Sequence, residues 1–188
     1  MKNLNSKIVK LLLCFSLFLI SQNCFSQIDW EIITTTAGQN LKSGAACNLK
    51  NLTAATKHTK FIYYEKRGML GGINLGWTDN QNNDITIEGP KAGADILIGD
   101  KIAIKVKGGG YLKYQKRDLG INLTWSSTPV YEWIFKGKTT SETGNVKTGN
   151  GYGLFNTVEN DYIVYCKRSA GINLGWDKDC HLGYRIAK

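Results

Sequence analysis

The sequence predicts an all-β fold built from three copies of one unit, and three observations carry this. Gly-Ile-Asn-Leu-Gly-Trp occurs at Gly72 to Trp77 and again at Gly171 to Trp176, and Gly120 to Trp125 repeats it with Thr124 for the second Gly. A Tyr-x-Lys-Arg precedes each copy, at Tyr64 to Arg67, Tyr114 to Arg117 and Tyr165 to Arg168, so the Lys-Arg pairs fall 50 and then 51 residues apart. A near-constant period of that length marks a repeat architecture. Finally, the chain between the motifs consists of short runs rich in β-branched and aromatic residues, broken by Gly, Asn and Asp, with no helical periodicity of useful length.

The start of the chain lies outside the pattern. Lys2, Lys7 and Lys10 lead into the apolar run Leu11 to Ile20, and Cys24-Phe25-Ser26 supplies small residues before Gln27. This reads as a secretory signal peptide over 1–26. The run is well below the roughly 20 residues a bilayer span needs, and no other stretch could cross, so no transmembrane segment is expected. Ser21-Gln22-Asn23 is a poor lipobox for a lipid on Cys24. Residues 27–188 are expected to form one domain, secreted or periplasmic. Removing three Lys and no acid takes the formal charge of the 188-residue chain from +9 to +6. That excess permits anionic partners but does not demand nucleic acid, and none is expected.

Cys47, Cys166 and Cys180 remain after the leader, enough for one internal bridge and one thiol. Cys166 takes the x position of Tyr-x-Lys-Arg, where the other copies have Glu65 and Gln115, and Cys180 lies four residues past Trp176. Both belong to the last repeat, so Cys166–Cys180 is the expected disulfide. Cys47 aligns with Ile104 and Phe155 and is expected to be a small buried residue.

Asp29 to Thr34 reads as a first strand and Thr35 to Lys42 as a loop. Each repeat then holds four strands. In the middle copy these are Lys101 to Lys107, Tyr111 to Arg117, Gly120 to Trp125 and Val130 to Phe135, with Gly108-Gly109-Gly110 and Asp118-Leu119 as turns. The first copy gives Ala46 to Asn51, Phe61 to Arg67, Gly72 to Trp77 and Asp84 to Glu88; the last gives Gly153 to Val158, Asp161 to Arg168, Gly171 to Trp176 and Gly183 to Ala187. The repeats span about 44–89, 98–137 and 151–188, and Thr53 to Lys60, Asp79 to Asn83 and Thr139 to Asn150 read as polar loops.

Twelve strands in three four-strand units resemble the β-trefoil superfamily. The resemblance covers 27–188 apart from the N-terminal strand, which reads as an extra or edge strand. It implies pseudo-threefold symmetry, with the first and fourth strands of each unit in a six-stranded barrel and the second and third in hairpins that cap one end. Alternation along the third strands puts Ile73, Leu75 and Trp77, and their counterparts Ile121, Leu123, Trp125 and Ile172, Leu174, Trp176, on the core side, joined by Ile62, Leu112 and Ile163. Gly72, Gly120 and Gly171 are expected at positive φ or at close backbone approaches.

Two sets of residues are candidate ligand-binding groups. Asn74, Asn122 and Asn173 recur opposite the core face and would either bond hairpin backbone or contact a sugar hydroxyl. Lys66, Arg67, Lys116, Arg117, Lys167 and Arg168 would ring one end of the molecule, as a solvated face or as an anion site. Catalytic and metal chemistry have little support. His58 and His181 stand in loops and neither recurs; Asp79 to Asp84 lacks the Gly and terminal Glu of an EF-hand loop; Gly108 to Gly110 leads into a strand and lacks the Lys-Ser/Thr of a phosphate loop. No cofactor, no metal and no enzymatic activity are expected.

The trefoil resemblance implies a secreted carbohydrate-binding, lectin-like module, whose three shallow sites would gain avidity together. The ricin-type Gln-x-Trp is absent, Leu75, Leu123 and Leu174 standing at its Gln position, so no site residues carry over. Tyr63, Tyr111, Tyr131 and Tyr152 are available to stack on sugars. A polyanion or membrane-surface binder using the Lys-Arg ring, as heparin-binding trefoil growth factors do, is the alternative. A protein-binding module similar to the Kunitz soybean inhibitors is a third reading, though Thr139 to Asn150 has a flexible composition for an inhibitory loop.

Overall fold

The computed structural model describes residues 27–53, 60–68, 72–118, 120–168 and 171–180. Six strands close into an antiparallel barrel. β1 (Trp30–Ile33) pairs with β2 (Ala45–Asn51), which pairs with β5 (Ile85–Glu88). β5 pairs with β6 (Lys101–Val106), and β6 with β9 (Trp133–Lys136). β9 pairs with β10 (Gly151–Asn156), and β10 returns to β1. Closure leaves the barrel without a free edge. The other strands form three hairpins: β3 (Phe61–Tyr64) with β4 (Leu75–Thr78), β7 (Gly110–Tyr114) with β8 (Leu123–Ser126), and β11 (Asp161–Tyr165) with β12 (Leu174–Trp176).

The N-terminal strand is therefore not an extra or edge strand. β1 lies between β10 and β2, and its first residue, Trp30, pairs with Tyr152 as Trp133 pairs with Ile102. The chain thus uses its beginning to complete the ring. The expected strand Gly183 to Ala187 lies outside the described residues. The chain before that segment ends in a helical turn, 177–180, which hydrophobic periodicity is too short to reveal.

Strand alternation fills the barrel. Ile32, Leu49, Ile87, Ile104, Phe135 and Leu154 form one layer of the core, and Trp30, Cys47, Ile85, Ile102, Trp133 and Tyr152 another. Burying each large side chain is worth roughly 1.5–3 kcal/mol before entropy. Cys47 pairs with Ile85 as Ile102 does with Trp133 and Tyr152 with Trp30, so its counterparts are Ile102 and Tyr152. The alignment with Ile104 and Phe155 is out of register by two residues in the middle copy and three in the last. Phe155 is only half-buried and meets Tyr162 edge-on at 5.1 Å.

The end of the barrel away from the hairpins is plugged by three loops, two of which, around Leu41 and Val146, composition marks only as polar. Leu41, Ile96 and Val146 are at most 1% exposed. Their backbones form a closed cycle: Leu41 N–H donates to Val146 O at 2.7 Å, Val146 N–H to Ile96 O at 2.8 Å and Ile96 N–H to Leu41 O at 2.9 Å. The cycle satisfies polar groups that a plugged barrel end would otherwise bury unpaired.

The hairpin strands are shorter than expected. β7 stops at Tyr114 and β8 starts at Leu123, so the Lys-Arg pairs and the Gly-Ile-Asn triplets lie in the connecting loops. The reason is local. Leu75, Leu123 and Leu174 each donate their N–H back to the carbonyl two residues earlier, at 2.7–2.8 Å, a three-residue turn that ends the regular strand, and each Asn carbonyl accepts one last N–H from Glu65, Gln115 or Cys166 at 3.2–3.3 Å. The Ile before each Asn is still buried, at 3–4% exposed, because the turn folds it under the hairpin.

Candidate functional site

The hairpin end collects the recurring Asn and the Lys-Arg pairs. Each Asn is committed to its own loop. The Oδ1 of Asn74 accepts the Arg67 backbone N–H at 3.0 Å, that of Asn122 the Arg117 N–H at 2.9 Å, and that of Asn173 the Arg168 N–H at 3.0 Å. On the other side of the amide, Asn74 and Asn173 donate to the hydroxyls of Tyr64 and Tyr165 at 3.3 and 3.4 Å. Of the two roles open to these residues, the geometry supplies the backbone-bonding one in all three copies.

The cations divide into two kinds. Lys66, Lys116 and Lys167 are exposed. The arginines turn inward to different degrees. Arg67 donates Nε to Leu75 O at 2.7 Å and pairs with Glu65 at 2.7 Å. Arg117, though exposed, donates to Leu123 O at 3.1 Å. Arg168 is half-buried, and its guanidinium has no hydrogen-bond or carboxylate partner among the described residues. It lines a hollow at the centre of the three hairpins, walled by the Gly-Ile pairs 72–73, 120–121 and 171–172. The glycines have φ of 77°, 86° and 81°, the left-handed region that the sequence predicts for them.

The second Gly of the motif has a separate cause. A Cβ on Gly76 would fall 2.1 Å from the Glu65 carboxylate, and one on Gly175 would fall 2.7 Å from Cys180 Sγ and 3.1 Å from Cys166 Sγ. The residue after the Tyr thus folds across the facing strand. The Cys166–Cys180 disulfide forms as expected and lies there, tying the helical turn at 177–180 to the third hairpin. In the middle copy Gln115 is exposed and Thr124 replaces the Gly.

The motif aromatics lock the hairpins together. Tyr64 packs on Trp125, Tyr114 on Trp176 and Tyr165 on Trp77, with ring centroids 5.9–6.2 Å apart. Each hairpin thus lends its Tyr to the Trp of the next, and the third returns to the first. Trp176 is fully buried, and Trp77 and Trp125 are partly buried against the core. Gly108 and Gly109 lie flat beneath this ring, where a Cβ would come within 3.2 Å of Tyr64 and 2.6 Å of Trp125.

Elsewhere, Tyr131 is exposed and stands near Tyr111. The Tyr111 hydroxyl donates to Glu88 at 2.7 Å, which pushes its pKa up to about 12. Tyr63 is half-buried, and Tyr111 and Tyr152 are buried, so they offer no ring face for stacking comparable with that of Tyr131. At the plugged end Asp95 accepts from Asn40 at 2.7 Å and Asn145 at 3.5 Å and pairs with Lys42 at 3.0 Å. Sequence reasoning passed over this cluster, although Gly38, Gly93 and Gly144 recur just before the three plug residues. Among the described residues no three His, Cys, Asp or Glu converge as metal ligands, and no helix is long and apolar enough to cross a membrane. His58 and His181 lie outside the described residues. Comparison of the chain with protein families, with curated proteins and with solved structures finds no match.

Proposed function

We propose that the chain is an exported, non-catalytic binding module of the β-trefoil type, and that its hairpin end docks an anionic glycan. Three hairpins over one end of a six-stranded barrel support the trefoil reading. The observation that carries the function is charge. The three hairpin loops, 65–74, 115–122 and 166–173, hold six Lys and Arg against Glu65 and Asp118. The three loops at the plugged end, 34–44, 89–100 and 137–150, hold four Lys against three acids. A one-sided field of this kind attracts polyanions and fixes the face they meet. A neutral-sugar site built on Asn74, Asn122 and Asn173 has less support, because their amides already serve the loops.

A glycan array of neutral, carboxylated and sulfated sugars, probed with residues 27–188 at low and high salt, tests the proposal. Binding to anionic glycans that fades at high salt is expected. Salt-resistant binding to neutral glycans would move the site to the Tyr131 face. An array with no binding at all would favour a protein partner.

A further inference from the structure

We infer that the hairpin end contains one oxyanion subsite per chain, centred on Arg168, which takes a sulfate ester or carboxylate group of a glycan. This rests on the reading of the hairpin end as a glycan-docking surface and adds where, and how many times, the glycan is held.

Three observations converge. The hollow at the centre of the hairpins is lined by all three Gly-Ile pairs, and among the described residues that line it Arg168 is the charged one. Its floor is apolar, since Ile73, Ile121 and Ile172 are 3–4% exposed. A guanidinium beside such a surface is less screened than one in open water, and its planar fork matches an oxyanion with two parallel hydrogen bonds. Arg168 also differs from its counterparts in that its guanidinium has no partner among the described residues. Arg67 is held by Glu65 and Leu75 O, and the exposed Arg117 gives one N–H to Leu123 O. The third copy has a cause for the difference. Where the first has Glu65 to hold its arginine, the third has Cys166, whose sulfur is committed to Cys180.

Size narrows the ligand. The hollow is a shallow depression of about 10 Å³, far below the roughly 300–1,000 Å³ of ordinary small-molecule sites. It takes no sugar ring and encloses no oxyanion, so the charged group would rest at its mouth against Arg168. The glycan would place that group against Arg168 and lie over the hairpin tips, within reach of the exposed Lys66, Lys116 and Lys167. The three motif copies therefore build one subsite between them, in contrast to the three separate sites that the repeat itself suggests.

The test is calorimetric titration of the purified protein with inorganic sulfate, a heparin-derived sulfated disaccharide and an unsulfated uronate disaccharide at low salt. One site per chain is expected. Arg168→Gln should weaken sulfate and sugar binding at least tenfold, Arg168→Lys should recover part of it, and Arg117→Gln should change it less than threefold. The relative affinities of the two disaccharides identify the sulfate ester or the carboxylate as the preferred group. Amide NMR of the unaltered protein provides a reading independent of any variant: sulfate should shift Gly72, Gly120 and Gly171 together. Three sites per chain, equal effects of Arg168→Gln and Arg117→Gln, or no shift at those glycines would overturn the subsite while leaving anionic glycan docking in place. Sulfate binding that depends on Arg168, with neither disaccharide bound, would keep the subsite and defeat the glycan reading. No binding of any probe would defeat both.

Discussion

Tyr165 packs its ring 6.2 Å from that of Trp77, so the last hairpin closes on the first. With Tyr64 on Trp125 and Tyr114 on Trp176, the aromatic contacts form a cycle and no hairpin is an end. Aromatic pairs add about 0.5–1.5 kcal/mol beyond the area they bury. Breaking one pair loosens two hairpins at once. Trp176→Ala should therefore lower stability by about 3–5 kcal/mol, the usual loss for a buried large aromatic. Tyr165→Ala should lower it by less, since Tyr165 is only half-buried. Urea unfolding of both variants checks the order; equal losses would mean that the contact, rather than burial, dominates.

The recurring asparagines are expected to act on stability and not on ligand. Asn173→Ala removes the acceptor of the Arg168 N–H and should lose about 1 kcal/mol, with a similar loss for Asn74→Ala and Asn122→Ala. Asn173→Asp keeps an oxygen acceptor and should lose less. Glycan affinity, measured well below each variant's melting temperature, should stay within twofold of the unaltered protein. A tenfold loss of affinity in a stable variant would restore the asparagines as ligand contacts.

The glycine that varies among the copies gives a ranking. At Gly175 a new Cβ meets the two disulfide sulfurs, which cannot move independently. At Gly76 it meets the Glu65 carboxylate, which can swing away at the expense of its bond to Arg67, and the Glu65 Cβ at 2.8 Å, a contact matched at Gly175 by Cys166 Cβ at 2.9 Å. Gly175→Ala should therefore destabilise by about 1–3 kcal/mol, in the range of overpacking, and Gly76→Ala by less. Thr124→Gly should have the smallest effect. Thermal melting of the three variants reads the order directly.

The same contrast shows what was legible in the sequence. The identical Gly-Ile-Asn-Leu-Gly-Trp copies exposed the repeat, the core Ile and Leu and the positive-φ glycines, because those demands are local and recur in every unit. The Cys166–Cys180 pair was legible because both residues fall in one repeat. The role of β1 was not, since nothing in Trp30-Glu31-Ile32-Ile33 says which strands it pairs with; that is fixed by closure of the ring. The plug at Leu41, Ile96 and Val146 was hidden because Leu41 and Val146 are single apolar residues in polar loops and the run Ile96-Leu97-Ile98 is too short to show a period. Arg168 was legible as a cation, but its difference from Arg67 and Arg117 depends on a disulfide and a salt bridge that only the folded hairpins bring beside them.

Alkaline pH should destabilise the fold in a defined window. Burial pushes the Cys47 thiol from an ordinary 9.0 up to about 12, and the bond to Glu88 pushes the Tyr111 hydroxyl from 10.0 up to about 12. Both groups are neutral in the folded state at pH values where the unfolded chain already ionises. Their contribution is complete below about pH 9 for Cys47 and about pH 10 for Tyr111, and is lost as pH rises towards 12. Unfolding free energy should fall between pH 9 and 12, and Cys47→Ala should flatten the lower part of that slope. At pH 8 the thiol should react with a thiol reagent only after denaturation; rapid reaction of the folded protein would contradict its burial.

The plugged end offers two explanations for what holds its loops, and they predict different mutants. Asp95 gathers Asn40, Asn145 and Lys42, but the Lys42 side chain is 64% exposed, and exposed ion pairs contribute only about 0–1 kcal/mol. Ile96 is 1% exposed, and its backbone belongs to the cycle with Leu41 and Val146. Ile96→Ala removes buried methylenes from the barrel end and should lose about 2–5 kcal/mol, whereas Asp95→Ala should lose under about 1 kcal/mol. Hydrogen exchange separates the two further: the amides of Leu41 and Val146 should lose protection in Ile96→Ala and keep it in Asp95→Ala. Loss of protection in both would make the polar cluster a full partner in sealing the barrel.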